Sequence, residues 1–312
     1  MPDIVISEFM DEAAVDSLSD EFVTHYDPTL VDDRERFLAL LGDARALVVR
    51  NRTLVDSDLL DVSPRLAVIG RLGVGLDNID MTACSAYGVE VKPATGANTA
   101  AVAEYVIAAV MVLIRGVFLS TDRVLDGSWP RTESMGGEVA GRQLGLIGLG
   151  SIAREVAAHA RGLGMTVVAH DPHLPMDDPA WATVERATLD EVLAQSHAVS
   201  VHVPLTDETR SLINHATISK MRPGSVLVNT ARGGIVEESA LVSALRSGHL
   251  AGAAIDVFAV EPVSKESGSH LAQTPNLIVT PHIAGITEES DARVGRTTVE
   301  NVRGVLRGKL AT

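Results

Sequence analysis

Three polar side chains, Arg232, Glu261 and His282, stand just beyond apolar runs that read as strands. Arg232 follows Val226-Leu227-Val228-Asn229-Thr230-Ala231, and Glu261 follows the run from Ala253 to Val260. His282 follows Leu277-Ile278-Val279-Thr280-Pro281. The ends of parallel strands face one side of their sheet, so a guanidinium, a carboxylate and an imidazole from distant positions can converge there. Those groups suit the oxidation of an alcohol and its reversal. His282 can take the hydroxyl proton, because an imidazole titrates near neutrality. Glu261 can hold the other ring nitrogen and stabilise the imidazolium. Arg232 can pair bidentately with a substrate carboxylate and polarise the neighbouring carbonyl. Each residue alone has a bland reading: a lone arginine is usually a solvated charge, and a strand-end histidine is usually structural.

What gives the convergence weight is the stretch Gln143 to Ala153, in which apolar residues run into Gly148-Leu149-Gly150 and a helical segment starts at Ser151. Strand, glycine turn and helix start are the context of a dinucleotide fingerprint. Gly148 permits the tight turn, and Gly150 lets backbone approach a pyrophosphate. Ala153 is small enough for close helix–strand packing. The pyrophosphate would rest on the free N–H groups of the helix N-terminus. A second apolar strand, Met165 to Asp171, ends in an acid where the ribose-binding carboxylate belongs, about 20 residues further on. No arginine follows among Pro172, His173 and Leu174, so NAD is expected over NADP.

These residues need a sheet to hold them. Strands are expected at about 143–148, 165–171, 198–203, 225–230, 250–256 and 276–280, with helices at about 151–163, 189–195 and 238–247 between some of them. Strands of this kind fit a doubly wound parallel sheet. The first hundred residues read as a separate α/β series, with strands near Asp3–Ser7, Ala46–Arg50, Leu66–Gly70 and Val89–Val91. A glycine turn, Arg71 to Asp77, follows the third of these. A long helix opens at Asn98 or Thr99 and runs to about Arg115, and a last helix covers Glu288 to Arg307.

Composition bounds the rest. A chain of 312 residues, 46% hydrophobic, can bury a large core and is expected to form two domains. The net charge of −15 argues against a broad nucleic-acid surface and is compatible with a high-salt host. Cys84 is the single cysteine, so a reducing, cytoplasmic compartment is expected, and Met1-Pro2-Asp3-Ile4 does not start like a signal peptide. The apolar run Val106 to Ile114 is too short for a membrane span. His170 and His173 are the one close histidine pair, but they coincide with the ribose-binding strand end, so no metal is expected.

Along essentially its whole length the chain resembles the D-specific 2-hydroxyacid dehydrogenases. The matching pieces are Gly73–Asp80, Asn98-Thr99 through Val102-Ala103-Glu104, and Gly148–Ala153. They continue with His202-Val203-Pro204-Leu205-Thr206, Asn229–Val236, Asp256–Pro262 and Thr280–Gly285. The resemblance implies Arg232 as carboxylate anchor, Glu261 as partner and His282 as acid/base. It implies cofactor contacts at Gly148, Gly150, Ser151, Ile152, Asp171, His202, Val203, Pro204, Thr209, Thr230, Ala231, Asp256 and His282, with Asp256 near the nicotinamide amide. It places the backbone at Val74 and Gly75 on the substrate carboxylate. The implied architecture is a Rossmann cofactor domain, 99–285, inserted into a flavodoxin-like substrate domain of 1–98 and 286–312. Relatives of this kind usually dimerise through the long helix and the segment around Trp129, although plain core burial also explains an apolar helix.

The substrate is narrowed by Arg50-Asn51-Arg52-Thr53, which follows a strand of the substrate domain. Alternation along an extended segment puts both arginines on one face, suited to a second anion on the substrate, as in phosphoglycerate or sulfolactate; the bland reading is a solvated basic pair. A glyoxylate or hydroxypyruvate reductase is the alternative enzyme. A dinucleotide-sensing corepressor-like protein is the alternative of another class.

Overall fold

A computed structural model describes residues 1–308, which form two compact units, one of 1–98 and 286–308 and one of 99–285. The first unit opens with β1 (Ile4–Ile6), α1 (Glu12–Ser19), β2 (Thr24–Tyr26), α2 (Arg34–Leu41) and β3 (Ala46–Val49). It continues with α3 (Ser57–Asp61), β4 (Val68–Arg71), α4 (Met81–Ala86) and β5 (Glu90–Pro93). The five strands are parallel in the order β2-β1-β3-β4-β5, the flavodoxin-like order. Ile4 to Ile6 and Ala46 to Val49 are buried throughout, as expected of strands covered on both faces. The starts of α1 to α4 are each marked by an aspartate whose side chain accepts a backbone N–H of the first turn: Asp11, Asp33, Asp56 and Asp80.

The second unit starts with α5 (Thr99–Arg115) and α6 (Thr121–Leu125). Then come β6 (Gln143–Ile147), α7 (Ser151–Gly162), β7 (Thr166–His170), β8 (Glu185–Arg186), α8 (Leu189–Gln195) and β9 (Ala198–Val201). It ends with α9 (His215–Lys220), β10 (Ser225–Asn229), α10 (Glu238–Arg246), β11 (Leu250–Ile255) and β12 (Leu277–Val279). Its seven parallel strands run β12-β11-β10-β9-β6-β7-β8. Chain order reverses between β6 and β9, and that switch point is where a doubly wound sheet opens its ligand crevice. The doubly wound expectation holds, with β8 added at the edge as a pair of exposed residues that carry no apolar pattern.

Ala153 is fully buried where α5, α7 and β6 meet, among Val106, Val110, Leu144 and Val156. A larger side chain there would prise the helices off the sheet. Finally α11 (Glu288–Gly308) belongs to the first unit and packs on α1 and β4. A Cβ on Gly70 would come within 2.7 Å of Val302 and 2.9 Å of Thr298, so the bare backbone of β4 is what admits α11. Among the described residues no helix is long and apolar enough to cross a membrane.

Candidate active site

The catalytic candidates lie beyond the C-terminal ends of β10, β11 and β12, which are neighbours in the sheet. His282 and Glu261 meet: Nδ1 of the ring is 2.6 Å from Oε2 of the carboxylate. Oε1 of Glu261 accepts the Phe258 N–H at 2.9 Å. Burial would raise the Glu261 carboxyl, but the bonds from His282 and Phe258 and the charges of His282 and Arg232 outweigh it and hold the acid below its ordinary value. A deprotonated Glu261 can only accept, so Nδ1 of His282 carries the hydrogen and Nε2 is left as the basic nitrogen. The ring keeps 37% of its side chain exposed, which leaves Nε2 approachable. His282 sits at φ +54, a left-handed backbone that costs a histidine roughly 1–2 kcal/mol.

Arg232 is set by Asn229, a residue to which sequence reasoning gave no role. The buried Asn229 amide accepts the Ala231 N–H at 3.1 Å and donates to the Arg232 carbonyl at 3.0 Å, which fixes the turn after β10. Nη1 of Arg232 donates to the Ala231 carbonyl. An asparagine ending a buried apolar strand was the signal available.

The glycine turn has the features a dinucleotide needs. Gly148 has φ +91, and a Cβ there would meet the His202 carbonyl oxygen and Val203 Cγ1, each at 2.9 Å. Only glycine closes this turn against β9. A Cβ on Gly150 would meet nothing within 4 Å, so the turn opens onto free space. Gly150 caps α7 with no side-chain hydrogen bond and the first turn holds no acid, which leaves its N–H groups for an anion. Ser151 is exposed at that helix start, and Ile152 packs against the core.

Asp171 follows β7 and is oriented by three backbone N–H groups, those of Leu149 (2.9 Å), His173 (3.0 Å) and Leu174 (3.1 Å). It thereby ties the glycine turn to the end of β7. Val201 of β9 pairs with Asn229 of β10, so His202 and Thr230 are the next positions on adjacent strands. Both carry buried polar atoms without a hydrogen-bond partner among the described residues, Nε2 of His202 and Oγ1 of Thr230. Two orphaned groups at the switch-point edge are what a polar ligand there would satisfy. Pro204 accepts the Thr209 hydroxyl at 2.6 Å, so Thr209 braces the loop after β9. Asp256 is buried, and its carboxylate accepts from the Thr280 hydroxyl (2.6 Å) and the N–H groups of Ile283 (2.9 Å) and Ala284 (2.8 Å). These residues fit a bound dinucleotide.

In the first unit, Arg50 and Arg52 follow β3, and both are paired. Arg50 meets Asp291 of α11 at 2.7 Å, with both side chains largely buried. Arg52 pairs with Asp32, and both are more than half exposed. Val74 is exposed and Gly75 half-buried in the turn after β4. Sequence reasoning missed Glu8, which is 4% exposed. Its carboxylate accepts the N–H groups of Arg50 (2.9 Å), Asn51 (3.3 Å), Arg52 (3.0 Å) and Thr53 (3.0 Å). Asn78 completes the clamp by donating to the carbonyls of Arg50 (3.3 Å) and Thr53 (2.6 Å). Because β1 neighbours β3, the rule that aligned the strand ends of the second unit also places Glu8 beside Arg50. Among the described residues no cluster of three or more histidine, cysteine or acidic side chains could hold a metal.

Comparison with known proteins agrees with this geometry. The family model described as the NAD binding domain of D-isomer specific 2-hydroxyacid dehydrogenases matches residues 107–284. The chain is 54% identical to a (S)-sulfolactate dehydrogenase of Chromohalobacter salexigens, over 98% of this chain and 99% of that protein. It is 38% identical to the chloroplastic D-3-phosphoglycerate dehydrogenase 2 of Arabidopsis thaliana, over 99% of this chain but 49% of that one, so it spans about half of this longer relative. A D-lactate dehydrogenase from Aquifex aeolicus, solved with NAD and lactic acid, superposes with a TM-score of 0.87 at 29% identity, covering 99% of this chain and 96% of that one. The chain belongs to the D-isomer specific 2-hydroxyacid dehydrogenase family. It is an NAD-dependent oxidoreductase of hydroxy acids.

Proposed function

We propose that the substrate is a small 2-hydroxy acid bearing a second anion at C3, of the sulfolactate type, interconverted with its 2-oxo acid. The 54% identity to a sulfolactate dehydrogenase over nearly the full length of both chains carries this reading. The cofactor, when bound, takes up or returns the hydride at C2. Arg232 grips the substrate carboxylate. His282 takes the C2 hydroxyl proton on Nε2 during oxidation and returns it during reduction. Glu261, bonded to Nδ1, offsets the charge that this transfer places on the ring. We also infer a homodimer through α5 and the segment around Trp129, as in family members.

The two arginines after β3 are not equivalent. A partly buried pair such as Arg50–Asp291 is costly to break, because separation leaves a charge behind in a poorly solvated place. An exposed pair such as Arg52–Asp32 is worth about 0–1 kcal/mol and is cheaply exchanged for a substrate anion. Arg52 is therefore the guanidinium for the far anion, and Arg50 braces the loop against α11.

The test is steady-state kinetics with NADH on 2-oxo acids whose C3 substituent is sulfonate, phosphate or neutral. Charged substrates should be preferred in kcat/KM, with the margin shrinking as salt is added. Arg52→Ala should raise KM for the charged substrate by roughly 10-fold, the worth of one charge-assisted hydrogen bond, and leave the neutral one nearly unchanged. If the variant treats both alike, the second-anion reading fails and a glyoxylate-type reductase takes its place.

A further inference from the structure

A hydrogen-bonded chain inside the second unit ties α5 to the loop that carries His282. Tyr105, half-buried on α5, places its hydroxyl 2.5 Å from Oγ1 of Thr280. The Thr280 hydroxyl donates to Oδ1 of Asp256 at 2.6 Å. A threonine has one hydroxyl hydrogen, and that hydrogen is spent on the carboxylate. The Tyr105 hydroxyl is therefore the donor to Thr280, and the polarity of the chain is fixed: Tyr105 to Thr280 to Asp256.

The far end of the chain holds the backbone on both sides of the catalytic histidine. Asp256 receives the N–H groups of Ile283 (2.9 Å) and Ala284 (2.8 Å) on its carboxylate. The His282 N–H is shared between the Asp256 carbonyl (2.8 Å) and the Thr280 carbonyl (3.1 Å). The peptide groups on either side of His282 are thus anchored to residues of the chain, and His282 itself stands at φ +54. A left-handed histidine persists where its surroundings over-determine it. In this conformation Nδ1 meets Glu261, so the relay and the acid/base pair share one geometry.

We propose that Tyr105 is a positioning residue for the reaction: through Thr280 and Asp256 its hydroxyl holds the 280–284 loop so that His282 keeps its bond to Glu261 and presents Nε2 to the substrate. The proposal rests on the reading of His282 as the acid/base. Tyr105 acts on His282 through the loop. Because the chain starts on α5, a helix distant in sequence from the catalytic loop, it makes that helix part of the device that sets the histidine.

The experiment compares Tyr105→Phe, Thr280→Val, Thr280→Ser, the Tyr105→Phe/Thr280→Val double variant and His282→Asn in the full chain. The readouts are kcat, KM for both substrates and melting temperature. Tyr105→Phe keeps the ring and its packing and removes one hydrogen bond. It should lower kcat by about 3- to 10-fold, the equivalent of one such bond, with KM for NADH unchanged. Thr280→Val should lower kcat at least as much, and Thr280→Ser should restore it. In the Thr280→Val background the tyrosine substitution should have no further effect, since its target is gone. Wild-type kcat in Tyr105→Phe, or independent additive losses in the double variant, would overturn the proposal. A kcat loss matched by equal rises in both KM values and a falling melting temperature would also overturn it, as a general loosening. Wild-type turnover in His282→Asn would instead overturn the acid/base assignment, which keeps the two failures apart.

Discussion

Glu261 decides which nitrogen of His282 is left basic. Its lowered carboxyl accepts from Nδ1–H, so the lone pair lies on Nε2. His282→Asn removes that base without adding charge. Turnover should fall by roughly 100-fold or more, the usual scale of general acid–base catalysis, while NADH affinity stays intact. Stopped-flow or steady-state rates together with a fluorescence titration of NADH check both halves, and near-normal turnover takes His282 out of the mechanism. His202 is a different kind of histidine. Burial lowers it from 6.5 to about 4, so it stays neutral across the working range and does not shape the pH–rate profile there.

At the scale of elements, each of three candidate loops is held by a buried polar group at a strand end, from the same strand or from its neighbour. Asn229 does this for Arg232, Asp256 for His282, and Glu8 for the loop after β3. Glu8 is a buried acid, 4% exposed. Burial alone would raise its carboxyl, but the N–H groups of Thr53, Arg50 and Arg52 pull it below its ordinary value of 4.5. A depressed acid gives its full stabilisation above its unfolded value and loses it as pH falls through the folded one. Glu8→Gln should therefore cost about 1–3 kcal/mol at neutral pH, as expected when a buried charged acceptor is lost. In thermal melts, the gap between wild type and variant should narrow below pH 4.5. A gap that stays constant with pH would mean that shape, and not charge, is what Glu8 contributes.

At the scale of the whole molecule, the second unit exposes apolar side chains close together in sequence. Phe118 is 66% exposed, Leu125 80% and Trp129 71%, all within or just beyond α6 and the turn that precedes it. Large apolar side chains exposed within one short segment of an otherwise strongly acidic chain suit a protein partner. A second copy is the partner proposed here. Phe118→Glu combined with Leu125→Glu should convert a dimer to a monomer in sedimentation velocity at micromolar concentration, with the circular dichroism spectrum unchanged. Equal masses for wild type and variant would remove this face from the interface.

The apolar periodicity, the glycine fingerprint and the placement of Asp171 made two parallel α/β sheets, an NAD-dependent chemistry and the family legible from the amino acids alone. Those features are local: a buried strand, a glycine turn and a helix start each fit within about a dozen residues, and the backbone rules that produce them act at that range. Short elements escaped. β2 spans three half-buried residues and β8 two exposed ones, too little pattern to read, and α9 has a capping pair, Asn214 and Thr217, but little more than a turn behind it. The partners of the functional side chains were beyond reach. Arg50 pairs with Asp291 across 241 residues, Tyr105 with Thr280 across 175, and Glu8 with the Arg50 loop across 42. Which strand lies beside which, and which helix returns to which sheet, is settled by burying all the apolar faces at once. Only the tertiary structure could therefore show Arg52 exposed beside Asp32, Arg50 buried against Asp291, and Tyr105 bonded to Thr280.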